Sequence, residues 1–232
     1  MDRIYCGQAP LPAELWLRWN LDPPLLLALL VMTWVFRREP AGLAAVGVLI
    51  VAFVSPLCAL SSALFSARVV HHVLLLAVAA PLLGWARPLR RPIGPGLPFA
   101  VSTVVLWAWH LPAAYDLALS HVAVYWLMQI SLLGSAVWFW STVFSDHRAP
   151  VLHVTFIIAT FAQMGMLGAI LTFTPSPLYA AHFIAPYDWG LTPLLDQQLG
   201  GLIMWVPAGI PYAIALGLLI RQNWDWHKDS TA

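Results

Sequence analysis

The stretch VVHHVLLLAVAAPLLGWA, Val69–Ala86, decides how this chain folds. It contains no Lys, Arg, Asp or Glu, and after His72 it stays apolar to its end. Crossing a bilayer takes about 20 mainly apolar residues, and six further runs of this kind flank it. They are Leu21–Phe36, Ala41–Leu64, Pro98–Leu111, Val122–Phe144, Val151–Phe173 and Leu195–Ile220. The expected fold is therefore all-α: a polytopic membrane protein built as a single bundle of seven transmembrane helices.

Composition agrees. The 232 residues are 61% hydrophobic and 9% charged, where a soluble domain carries about 25% charged residues. A net charge of +1 points away from a nucleic-acid partner and leaves the lipid bilayer as the surroundings. Thirteen tryptophans suit interfacial belts, where an apolar ring and a wet N–H are both satisfied.

Lys and Arg set the expected orientation, because cytoplasmic flanks hold the excess. Arg37, Arg38, Arg87, Arg90, Arg91, Arg148, Arg221 and Lys228 fall on one set of flanks, while Arg3, Arg18 and Arg68 fall on the other. The N-terminus is thus expected outside and the C-terminus in the cytoplasm. Residues 1–20 form an outer segment, interfacial through Trp16 and Trp19. Residues 21–220 form the seven-helix domain, and 221–232 a cytoplasmic tail. The N-terminus lacks the basic region and apolar core of a cleaved signal peptide, so the first helix is expected to direct insertion. The basic, proline-rich RPLRRPIGPGLP (Arg87–Pro98) reads as a stiff cytoplasmic turn. TPSPLYAAHFIAPYDWGLTP (Thr174–Pro193) reads as an outer segment able to fold back as a cap. Pro56, Pro81 and Pro207 are expected to kink their helices.

On this topology five of the eight histidines (His71, His72, His110, His121 and His182) gather on the outer side with Asp116, Asp188 and Asp196. His147, His153 and His227 remain inside. Imidazole binds copper, zinc or iron, and a carboxylate can complete a hard site. The competing reading of any one histidine is an interfacial group bonded to water and headgroups. His71 and His72 lie about 100° apart on a helix, so one is expected to face a common centre and the other a neighbouring helix or headgroups. Met164 and Met166, in AQMGMLGAILTF, offer soft thioethers suited to Cu(I), against the alternative of adaptable packing. Gln163 reads as an interhelical hydrogen bond. Asp196 opens DQQLGGLIMW, where a helix N-terminus alone favours a carboxylate. Cys6 and Cys58 are open to pairing or to binding Cu(I), with an unpaired, packed Cys58 the expected state.

Other classes drop out. The sole lysine, Lys228, lies beyond the last run, which excludes an intramembrane Schiff base. There is no phosphate loop, no G-x-S-x-G and no H-E-x-x-H.

Five stretches together resemble the CtaG-type cytochrome c oxidase assembly factors. They are FSARVVHHVLLLAVAAPLLG (Phe65–Gly84), LWAWHLPAAYDLAL (Leu106–Leu119), Phe139–Trp140, AQMGMLGAILTFTPSPLY (Ala162–Tyr179) and DQQLGGLIMWVP (Asp196–Pro207). The resemblance implies a non-catalytic chaperone of the bacterial inner membrane. Its partners would be cytochrome c oxidase subunits and a copper donor protein, and its cargo copper, as Cu(I), handled near the outer face. It carries the metal role onto His72, His110, His121 and Asp196, then Met164 and Met166. This chain departs from the pattern at Arg68, where many members have a histidine four residues before the position of His72. It departs again at Tyr125 or Trp126, where many have a second histidine. His71 stands as a replacement ligand. A haem-binding redox protein with two axial histidines and a metal-free scaffold for oxidase subunits are the alternative readings.

Overall fold

The computed structural model describes residues 5–89, 94–145 and 150–229. Arg3, Arg90, Arg91, His147 and Arg148, used above in the charge and histidine patterns, lie outside the described residues. Within the described residues all regular secondary structure is helical, with no strand. In chain order the helices are α1 (Pro23–Val35), α2 (Pro40–Phe53), α3 (Pro56–Ala63), α4 (Phe65–Ala86) and α5 (Gly96–Trp109). They continue as α6 (Pro112–Ser120), α7 (Val122–Val143), α8 (Pro150–Phe173), α9 (Pro193–Trp205) and α10 (Gly209–Asp229).

Each expected run has a helical counterpart, but the number of complete spans is four to six. α4, α7, α8 and the joined α9–α10 are long and apolar enough to cross. α2 and α3 bend by 48° at their junction, and α5 and α6 by 75°. α1 has thirteen residues, or about 20 Å at the helical rise, against a hydrocarbon core of about 30 Å.

Prolines write most of these boundaries. α1, α2, α3, α6 and α9 all begin on a proline, and the preceding Asp22, Glu39, Ser55, Leu111 and Thr192 are all extended. A proline tolerates the first helical turn, where no N–H is needed, and pushes the residue before it out of the helical region. The WHLP sequence thus ends α5 at Trp109, leaves His110 at its C-cap and starts α6 on a new axis. Pro81 acts differently. It denies Ala77 its usual donor, and a π-helical stretch over Leu74–Ala79 absorbs the defect within α4. Pro207 separates α9 from α10, so the helices break at Pro56 and Pro207, while α4 runs on through Pro81.

α4 is the central helix. It packs against α2, α3, α7, α9 and α10. Of its most apolar window 56% is buried within the protein, against 28–39% for the other three full-length spans. The Gly200–Gly201 pair shows how α9 fits between α4 and α8. A methyl on Gly200 would stand 2.6 Å from Phe65 Cδ1 of α4, while one on Gly201 would stand 2.5 Å from the Gly168 carbonyl of α8. Adjacent residues point about 100° apart, so each glycine serves one neighbour.

One turn earlier, Asp196 joins the same helices. Its carboxylate accepts from the Phe65 and Ser66 N–H groups at 2.6 and 3.1 Å and from the Ser66 hydroxyl at 2.5 Å. It caps the N-terminus of α4 from another helix, satisfying donors that have no partner of their own. Gln197 turns to the residues 174–192 segment, accepting from Leu178 N–H at 2.7 Å and donating to the Leu171 and Ser176 carbonyls. That segment folds back as a cap. Asp116 accepts from the Ala180 and Ala181 N–H groups at 3.2 Å. His182 donates Nδ1–H to the Ala63 carbonyl, 3.2 Å away, and accepts from the Tyr115 hydroxyl at 2.8 Å. Burial pushes the His182 imidazole down to about 4, which keeps it in the neutral form this pattern requires.

The N-terminal segment is tied to the same end. A Cys6–Cys58 disulfide fastens it to α3, so Cys58 is bonded and not the unpaired packing residue expected. Tyr5 donates to Asp22 at 2.8 Å and stacks 5.0 Å from the Tyr125 ring. At the opposite end, Arg87 donates to the Val35 carbonyl at 3.3 Å. The bundle therefore has one end rich in His, Asp and the disulfide, and another carrying arginine.

If Asp196 holds α4 as described, Asp196→Ala should cost about 2 kcal/mol in detergent unfolding experiments. Asp196→Asn, retaining an acceptor oxygen, should lose less. An alanine variant as stable as wild type would contradict this assignment.

Candidate functional site

One turn into α4 lies a group of buried polar side chains with unpartnered nitrogens. Arg68, His71 and His72 are spaced i, i+3 and i+4, and are 1%, 0% and 3% exposed. α4 is enclosed on all sides, so both histidines are internal despite pointing different ways. The His71 ring meets Phe53 of α2 edge-on at 4.8 Å, while the His72 ring faces His110 at the end of α5, with centroids 6.2 Å apart. The two α4 rings are themselves 5.7 Å apart. His71 therefore faces a neighbouring helix and not headgroups.

The nitrogens differ in availability. His110 Nδ1 lies 2.7 Å from the Leu106 carbonyl, so it carries the proton and leaves Nε2 with a free lone pair. Metal-binding histidines are oriented in this way, with the other nitrogen donating to a carbonyl. His72 Nε2 and both His71 ring nitrogens are buried with no hydrogen-bond partner. The same holds for Arg68 Nη1 and Nη2 and for both amide atoms of Gln129 on α7. The Arg68 guanidinium stands 5.3 Å from the centre of the Tyr125 ring.

The other sequence candidates lie elsewhere. Asp196 is 0% exposed, but its oxygens are committed to the α4 N-terminus. His121 is exposed at the start of α7, its Nδ1 2.9 Å from the Ser120 hydroxyl. Met164 is buried and Met166 is 54% exposed, as two residues on opposite sides of an unbroken helix must be. His182 and Asp116 hold the cap, and Asp188 is exposed. Gln163 accepts from Trp107 Nε1 at 2.8 Å, the interhelical bond expected of it. Among the described residues no group of three or more His, Cys, Asp or Glu side chains is placed to hold a metal. What the fold brings together is a His72–His110 pair with His71 beside it.

Gln129 was not singled out by the sequence reading, although an amide in the middle of VAVYWLMQISLL is the kind of intramembrane polar residue that needs a reason. It lines a cavity of about 300 Å³ together with Phe53, Trp126 and Leu133. Trp126 and Asp22 also line a larger cavity, about 1180 Å³, bordered by Tyr5, Ser62 and Asp116. Space at this end of the bundle thus reaches towards the buried polar cluster.

The family model for the cytochrome c oxidase caa3 assembly factor matches residues 26–225, a stretch that contains the histidine cluster, the cap and the Asp196 contact. No curated protein and no solved structure matches the chain. With its apolar helices and its buried polar cluster, this multi-pass membrane protein belongs to the cytochrome c oxidase caa3 assembly factor family.

Proposed function

We propose that the chain carries Cu(I) at its outer end and passes it to a cytochrome c oxidase subunit by ligand exchange, with no bond-making catalysis. The reading is supported above all by the facing His72 and His110 rings, with His110 Nδ1 already committed to a carbonyl. Two neutral nitrogens suit a low-coordinate ion that must leave again. Arg68 adds a further argument, because a fixed positive charge near the pair opposes a divalent ion about twice as strongly as a monovalent one. His71 is the next available donor, and exposed His121 a candidate for first contact with a copper donor. Asp196 acts by positioning α4.

The orientation belongs to the same proposal: seven crossings in the bacterial inner membrane, N-terminus outside. The disulfide supports it, because disulfides persist in oxidising compartments and this one lies at the end that the arginine pattern assigns to the outside.

Anaerobic loading with Cu(I) followed by elemental analysis should find about one copper per wild-type chain, the least such a carrier can hold. His72→Ala and His110→Ala should each lose most of it. Copper retained in full by both variants would remove these residues from the site. For topology, Ile184 is 82% exposed on the cap. A cysteine introduced by Ile184→Cys should react with a membrane-impermeant maleimide in spheroplasts, and reaction only after permeabilisation would reverse the orientation.

A further inference from the structure

Arg68 presents a charge problem that copper cannot solve. It is 1% exposed. Its Nε donates to the Ser61 carbonyl at 3.2 Å, and Tyr125 covers one face of the guanidinium. Nη1 and Nη2 have no partner. The carboxylates at this end are used elsewhere: Asp22 by Tyr5, Asp116 by the cap, Asp196 by the α4 N-terminus, while Asp188 is exposed. Among the described residues no carboxylate lies within 4.0 Å of this guanidinium. A buried charge left without a partner is strongly destabilising, and a buried unpartnered polar group calls for an occupant.

The surrounding groups point to the occupant's sign. His71, one turn after Arg68 on α4, and Gln129, on α7, each contribute a buried N–H with no acceptor in the protein. The donors thus outnumber the available acceptors, and the nearby walls are aromatic (Phe53 and Tyr125). We propose that Arg68, His71 and Gln129 form an internal site for a small monovalent anion of halide type. One guanidinium is neutralised by one negative charge, whereas a divalent anion would leave a buried net charge. Gln129 and Phe53 also line the cavity of about 300 Å³, which offers the anion a way in. Tyr5, stacked on Tyr125 and fastened through the disulfide beside it, closes the site from above.

This site concerns the metal-free protein and stands apart from the copper reading, although an anion here would also relieve repulsion on a cation held by His72 and His110. The test is thermal unfolding of purified metal-free protein in sodium gluconate, with sodium chloride or bromide replacing gluconate at constant ionic strength. Wild type should gain stability in proportion to the logarithm of halide concentration, as ligand linkage requires. Arg68→Met should show no halide response and should be at least as stable as wild type in gluconate, because the unpaired charge is gone. A second measurement covers the case in which Arg68→Met does not fold. Chlorine NMR line broadening of wild type should titrate to saturation, and Gln129→Leu should move the midpoint to about tenfold higher chloride, the loss of one hydrogen bond to a charged group. Equal stability of wild type in chloride and gluconate, or an undiminished halide response in Arg68→Met, would mean that water alone fills the space and would overturn the site.

Discussion

The contact between the Asp196 carboxylate and the N-terminus of α4 organises the rest of the molecule. α4 carries the polar cluster and is enclosed by its neighbours, so its first turn cannot turn to water for its free N–H groups. A carboxylate from α9 supplies the acceptors. That bond places α9 against α4, where Gly200 leaves room for the Phe65 side chain of α4 and Gly201 lets the backbone of α8 approach. Gln197, next to Asp196, then draws in the residues 174–192 segment, and His182 and Asp116 fasten it over the helix ends. A single motif, DQQLGG, thereby connects the central helix, its neighbour and the cap.

This division of labour shows what many of the outer polar residues do in the fold. Polar groups at a helix end in a membrane are needed first to satisfy backbone. Asp196, Asp116, His182 and Gln197 do that. The residues left over (Arg68, His71, His72, His110 and Gln129) are buried side chains with free nitrogens or oxygens, and functional arguments rest on them. Arg68 marks how this chain differs from the family pattern noted from its sequence. A cation stands where a further imidazole would be; on the copper reading it favours a monovalent ion, and on the anion proposal it supplies the charge that calls for a partner.

Much of the architecture was legible because it follows from local chemistry. Apolar runs marked the helices, and prolines marked their starts and the breaks at Pro56 and Pro207. The fold-back of residues 174–192 was readable from its prolines and aromatics. The partners were not. Nothing in a one-dimensional pattern shows that Asp196 would meet the N-terminus of α4, more than a hundred residues earlier, or that Cys6 would reach Cys58. Helix geometry separated Met164 from Met166 correctly. It could not place His71, because that depends on α4 being surrounded. The bent α2–α3 and α5–α6 pairs and the short α1 also show that an apolar run of suitable length does not guarantee one straight crossing.

The central claim is that imidazoles in the interior, and no sulfur, hold the transported ion. X-ray absorption at the copper edge of the Cu(I)-loaded protein reads this directly. Nitrogen scatterers alone, in a two- or three-coordinate pattern, are the predicted result, with His72 and His110 as their source. A sulfur shell would contradict it, transferring the site to Met164 or to a reduced Cys6–Cys58 pair.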